Sequence, residues 1–125
     1  MKMKVLMVEP WKHPYEMELE HTLEAMRQAL ECDTITAICP WKDPVALVTD
    51  DEGMYSRKKP NRYIQELEQY IVGNFFLCGL SSDTLTDLPE QYIKKYKELF
   101  WTPEVFGKTT DRLLIFHMID DTWPD

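Results

Sequence analysis

The sequence predicts an α+β fold: a small single domain with a mainly antiparallel sheet and two or three helices packed on one face. Three observations predict it. Strand-like segments outnumber helical ones, and the connections between them are short. Apolar residues alternate at a period of two in residues 15–19 and 34–39, form near-continuous runs in the other strand-like segments, and recur every three or four residues in the helical ones. The chain has 125 residues, so one domain is expected, large enough to remove roughly two thirds of its unfolded surface from water. That domain is expected over residues 1–119, with 120–125 as an acidic C-terminal tail.

Residues 3–9 form an apolar first strand that Pro10 ends. Residues 15–19 alternate Tyr, Met and Leu with Glu16 and Glu18, which predicts a second strand folded back on the first. Thr22 is placed to cap a helix, with Glu24 favourable in its first turn. Leu23, Met26 and Leu30 then share one face, and the helix ends near Glu31 without a glycine. Strands follow at 34–39 and 44–49, then a turn at 50–53 and a basic loop at 56–60.

Residues 61–69 fit a short helix, with Tyr63, Ile64, Leu67 and Tyr70 at helical spacing. Residues 70–80 read as one buried strand, in which Gly73 and Gly79 mark a bulge or a close backbone approach. Asp87 and Glu90 have capping-box spacing at the start of the last helix. Tyr92, Tyr96, Leu99 and Phe100 line one face of it. Residues 112–119 form a further strand or a docking segment.

The net charge is −8, from 14 Lys and Arg against 22 Asp and Glu. Direct nucleic-acid binding is not expected, because phosphate contacts need clustered cations. An anionic membrane surface is disfavoured for the same reason. The acidity serves solubility, or it presents an acidic face to a basic partner. Cys32, Cys39 and Cys78 include no Cys-x-x-Cys pair, so no zinc site is indicated. No signal peptide precedes the first strand, and no apolar run approaches the ~20 residues of a membrane span. A cytoplasmic protein with reduced thiols is expected.

No cofactor and no enzymatic activity are expected. His13, His21 and His117 are far apart and lack metal-motif spacing. No nucleophile elbow or Gly-rich phosphate loop occurs, and the chain has only 4 Gly. Cys39 and Cys78 fall within predicted strands, where thiols are usually buried and inert. Asp50, Asp51 and Glu52 form a solvated turn rather than a cation loop, which would space its ligands at alternate positions.

Asn61 and Arg62 are the leading ligand-binding candidates. Arg offers a planar fork for phosphate or carboxylate, and Asn both donates and accepts. Trp41 could stack on a base. Alternatively, Asn61 caps a short helix and Arg62 pairs with a carboxylate on the sheet. Trp101 is expected to pack at the end of the last helix. Trp123, in the tail with Asp120 and Asp121, would anchor a partner protein or a second subunit.

The chain also resembles the domain-of-unknown-function family 3846 over residues 4–106. The resemblance is carried by Val-Leu-Met-Val-Glu-Pro (5–10), Thr-Leu-Glu (22–24), Ala-Ile-Cys-Pro-Trp-Lys-Asp-Pro-Val-Ala-Leu-Val (37–48) and Asp-Glu-Gly (51–53). It continues through Pro-Asn-Arg (60–62), Ile-Val-Gly-Asn-Phe-Phe-Leu-Cys-Gly-Leu (71–80) and Leu-Thr-Asp (85–87). Glu31-Cys32-Asp33 stands where the family usually has a glycine turn. The segment after Arg62 lacks the usual acidic Gly-containing turn. The resemblance implies an accessory protein of a phage, plasmid or Gram-positive bacterium, without an agreed activity.

Together these features predict a non-enzymatic binding protein that counteracts a host defence. It would sequester a small anionic, nucleotide-like ligand at Arg62, Asn61 and Trp41. The alternative is a protein–protein inhibitor or adaptor that binds a host protein through its acidic surface and C-terminal segment. A homo-oligomer is compatible with either.

Overall fold

The computed structural model describes residues 1–52, 58–108 and 113–117, and the side chains of residues 1–52 and 58–104. The elements run β1 (Lys2–Val8), β2 (Tyr15–Glu20), α1 (Leu23–Leu30), β3 (Ile35–Ile38), β4 (Val45–Asp50) and β5 (Pro60–Ile64). A 3-10 turn (Gln65–Leu67) leads to β6 (Gln69–Val72), β7 (Phe75–Ser81), β8 (Thr84–Thr86), α2 (Glu90–Leu99), β9 (Glu104–Lys108) and β10 (Leu113–His117).

The main sheet has the order β2-β1-β7-β4-β3, with β8 added to β7, and every pairing is antiparallel. β5–β6 and β9–β10 are separate two-stranded units, and β9 runs beside β5. The α+β class with a mainly antiparallel sheet is therefore the observed architecture.

The three middle strands are buried on both faces, and their side chains divide by parity. Leu6, Val8, Val45, Leu47, Phe75 and Leu77 face one core, which Ile93, Tyr96 and Phe100 of α2 complete with Ile64 and Ile71 of the β5–β6 unit. Met3, Val5, Met7, Ala46, Val48, Phe76 and Cys78 face the other, which Met26 and Leu30 of α1 cover. The expectation that the helices share one face is corrected here. A central strand that is apolar on both sides needs cover on both sides, so α1 and α2 take opposite faces.

Neither helix is long enough to persist alone; both are held by docking. Thr22 caps α1 as expected, its hydroxyl accepting from the Ala25 N–H at 3.1 Å. Leu23 is 50% exposed, so the α1 contact narrows to Met26 and Leu30 with Ala25 and Ala29. Glu31 closes the helix in the left-handed conformation (φ 54°) that glycine usually fills. Lys58 reinforces this end by donating to the Leu30 and Glu31 carbonyls at 3.1 and 2.6 Å, while pairing with Asp50 at 3.2 Å.

Several local expectations change. Asp87 does not cap α2, which begins at Glu90 after Pro89 without a side-chain cap; its carboxylate instead accepts from the Lys4 N–H at 2.8 Å. Leu99 is exposed, and Ile93 takes its place on the buried face of α2. Residues 61–69 are strand and 3-10 turn rather than α-helix, because Ile64 is needed in the sheet-facing core. The single strand read over 70–80 is two strands in different sheets, broken at Gly73 (φ 79°).

Cys39 lies just beyond β3 and is exposed rather than buried, whereas Cys78 is fully buried in β7. Burial pushes the Cys78 thiol up to about 12, so it stays protonated and inert at ordinary pH. A thiol reagent at pH 8 is expected to modify Cys39 rapidly and Cys78 only after unfolding. Fast labelling of Cys78 in the folded protein, read by peptide mass mapping, would contradict this packing.

Candidate functional site

The Asn61–Arg62 pair sits in β5, where the pairing with β6 slips: Pro60 opposes Val72 and Arg62 opposes Ile71. Such a bulge breaks the strict in–out alternation of a strand. Two adjacent polar side chains are consequently both buried, each 0% exposed. Asn61 Nδ2 donates to the carbonyls of Val8 (2.9 Å) and Gly73 (2.8 Å). Its Oδ1 accepts from Arg62 Nη1 at 2.9 Å.

The guanidinium is saturated. Nε and Nη2 both donate to the Phe100 carbonyl, at 3.2 and 2.8 Å. Nη2 also reaches the Lys12 carbonyl at 2.8 Å, and Nη1 the Asn61 carbonyl at 3.3 Å. With the Asn61 Oδ1 contact, these occupy all five guanidinium N–H groups. The cation lies at the C-terminus of α2, where the helix dipole favours positive charge. Burial holds the Arg62 pKa down to about 10, with Glu104 opposing that shift, so the group remains charged at neutral pH.

This pair ties together the end of β1, the β1–β2 loop, the end of α2 and the β6–β7 turn. It leaves no guanidinium donor for a ligand, which weighs against the expected anion site at Arg62 and Asn61. Those side chains are needed to satisfy carbonyls that would otherwise be buried unpaired. Of the alternative, in which Asn61 caps a short helix and Arg62 pairs with a carboxylate on the sheet, the cap does not occur, since Asn61 lies within β5, and Glu104 of β9 is the carboxylate that acts on Arg62.

Trp41 is partly buried on the same side of the sheet. Its ring packs at 4.7 Å from Tyr96 and 6.0 Å from Phe100. Tyr96 in turn donates its hydroxyl to Asp43 at 2.7 Å, and Lys95 pairs with the same carboxylate at 2.5 Å. Those two bonds hold the Asp43 carboxyl below its ordinary value. The Trp41 indole N–H is buried without an acceptor among the described residues.

Beside Trp41 lies a cleft of about 320 Å³, lined also by Tyr63, Ile64, Gln65, Glu66, Leu99, Phe100 and Glu104. Its walls are apolar rings and aliphatic chains, and its charged groups are carboxylates. Glu104 accepts from the Tyr63 N–H with Oε1 at 3.0 Å. Leu99 is 59% exposed at the rim. Neither Glu66 nor Glu104 was visible as a site residue in the sequence. Each looks like an ordinary surface acid until β5, α2 and β9 converge.

Trp101 does pack beyond the end of α2, stacked on His13 at 3.9 Å with its carbonyl 2.6 Å from His13 Nδ1. Asp50 is the last residue of β4, and its carboxylate accepts from Glu52 N at 2.9 Å as a turn. No group of three His, Cys, Asp or Glu side chains with metal-binding geometry occurs among the described residues. No helix among them is long and apolar enough to cross a membrane. Trp123, Asp120 and Asp121 lie outside the described residues.

The fold and this cleft define a small antiparallel α+β domain with an acidic, aromatic surface recess. The chain belongs to the family described as Domain of unknown function (DUF3846), whose model matches residues 3–101. The match takes in both helices and all of the main sheet except Lys2, and stops short of β9 and Glu104. No curated protein and no solved structure matches the chain.

Proposed function

We propose that this domain is a non-enzymatic binding protein whose partner is another protein, taken at the Trp41 cleft through a basic side chain beside an apolar one. The carrying observation is the cleft's composition: Trp41, Tyr63, Leu99 and Phe100 form apolar walls, and Glu66 and Glu104 supply the charge. An aliphatic stem with a cationic head fits such a lining, since the stem packs on rings and the head reaches a carboxylate. A phosphate would meet two carboxylates there and no free guanidinium. Of the two binding readings, this favours the protein partner over the nucleotide. The net charge of −8 would speed the encounter with a basic partner more than it would add affinity. Inhibition of a host protein, or an adaptor role, would follow from occupying its basic segment.

The test is a calorimetric and fluorescence titration with short peptides pairing Arg or Lys with Leu or Phe, run beside cyclic and linear nucleotides. Saturable peptide binding is expected, weakened about tenfold, or 1.4 kcal/mol, by Glu66→Gln and by Trp41→Ala. Retention of a nucleotide with no peptide binding would overturn the reading.

A further inference from the structure

The two outer strands of the main sheet differ in a way that bears on self-association. β2 carries Glu16, Glu18 and Glu20, all exposed. Charged side chains along an edge deter a further strand, and like charges directly opposite one another are destabilising. β3 is Ile-Thr-Ala-Ile, without a charge. Among the described residues it has a strand on one side only.

The ladder shows which β3 backbone groups β4 leaves unused. Asp51 N donates to the Thr34 carbonyl at 3.1 Å, one step beyond the Ile35↔Asp50 pairing. Hydrogen-bonded pairs alternate in an antiparallel ladder. Thr34, Thr36 and Ile38 therefore bond to β4, and the N–H and C=O groups of Ile35 and Ala37 point away from the sheet. Ala37 is exposed, as is Cys39 just after the strand.

We infer that β3 is a self-pairing edge, at which a second copy of this chain adds its own β3 antiparallel across a two-fold axis at Ala37. With that axis, Ala37 opposes its own copy, Thr36 opposes Ile38, and Ile35 opposes Cys39. No charged side chain opposes another within the paired segment. Beyond it, the exposed Asp33 before the strand lies toward the exposed Lys42 after the strand of the other copy. A chain of charge −8 repels itself over most of its surface. This edge is where strand, backbone and flanking charge fit a second copy, joining two main sheets into one. The inference is independent of the Trp41 cleft.

The interface is small, and association with a Kd of about 0.1 mM is expected. Sedimentation of the wild-type chain over a concentration series up to about 1 mM should show a monomer–dimer equilibrium. Two variants test the axis. Ala37→Pro removes an N–H that β4 does not use, a substitution an edge strand accepts. Ala37→Glu leaves that donor in place and sets two negative charges opposite each other, so it stays informative if proline disturbs β3. Each should weaken the dimer tenfold or more with an unchanged circular dichroism spectrum. A wild-type chain that stays monomeric throughout, or a dimer indifferent to both substitutions, would overturn the inference.

Discussion

Arg62→Ala is expected to destabilise the domain by about 4 kcal/mol, enough to leave much of the chain unfolded. The substitution leaves the carbonyls of Phe100 and Lys12 and the Asn61 amide oxygen without their donors. Each buried acceptor so orphaned costs about 1–3 kcal/mol unless water enters. It also removes a fully buried side chain and a cation that interacts with Glu104. Arg62→Lys should recover little of the loss, because an ammonium on a flexible stem cannot serve Phe100, Lys12 and Asn61 together. Urea unfolding measures both. A near-normal midpoint for Arg62→Ala would show that these contacts are dispensable and reopen Arg62 as a ligand group.

Gly79→Ala is expected to cost about 3 kcal/mol through a clash rather than a lost contact. Gly79 pairs with Val45 on one side and Thr86 on the other. A Cβ there would lie 2.3 Å from the Asp87 carbonyl oxygen and 2.6 Å from Thr86 Oγ1. The hydroxyl could rotate away, but the Asp87 backbone cannot. The chain leaves β8 at this point and crosses toward α2, held by Leu88 N–H donating to the Lys4 carbonyl at 2.9 Å. Leu88 then enters the α2-side core. Relief of the clash would lift Leu88 and the start of α2, and should show as a lower thermal midpoint with faster amide exchange in α2. A loss under about 1 kcal/mol would mean that the crossing is looser than this packing implies.

These two positions were legible to different degrees. Gly79 was marked from the sequence as a bulge or a close backbone approach, because a glycine within an apolar strand rarely has another reason to be there. Arg62 was marked as important, either for a ligand or for a structural pairing, and its actual partners were not foreseen. A window of sequence shows an arginine with five donors; it does not show that a helix C-terminus, a loop and a neighbouring asparagine will consume them all. The bulge between Pro60 and Arg62 is equally silent in sequence, since it is defined by the slip against β6. β8 spans Thr84–Thr86, too short to display a period, and β9 was missed because its strand signal is interrupted by Gly107.

The sequence by itself determined what depends on neighbours in the chain. Alternation in β2, the apolar runs of β1 and β4, and the Thr22 cap follow from local periodicity and backbone preference. From these the α+β class could be reached, while the family resemblance came from the order and spacing of the motifs over residues 4–106. The tertiary structure alone decided what depends on distant partners. Residues 75–81 become the middle strand between β1 and β4, and the two-sided burial that results sends the helices to opposite faces. Asn61 and Arg62 turn inward because carbonyls from four separate places need donors. The Trp41 cleft exists because β5, α2 and β9 bring Glu66, Leu99 and Glu104 beside one indole. Burial and hydrogen-bond demand are set by whatever packs against a residue, and that is fixed only when the whole chain has folded.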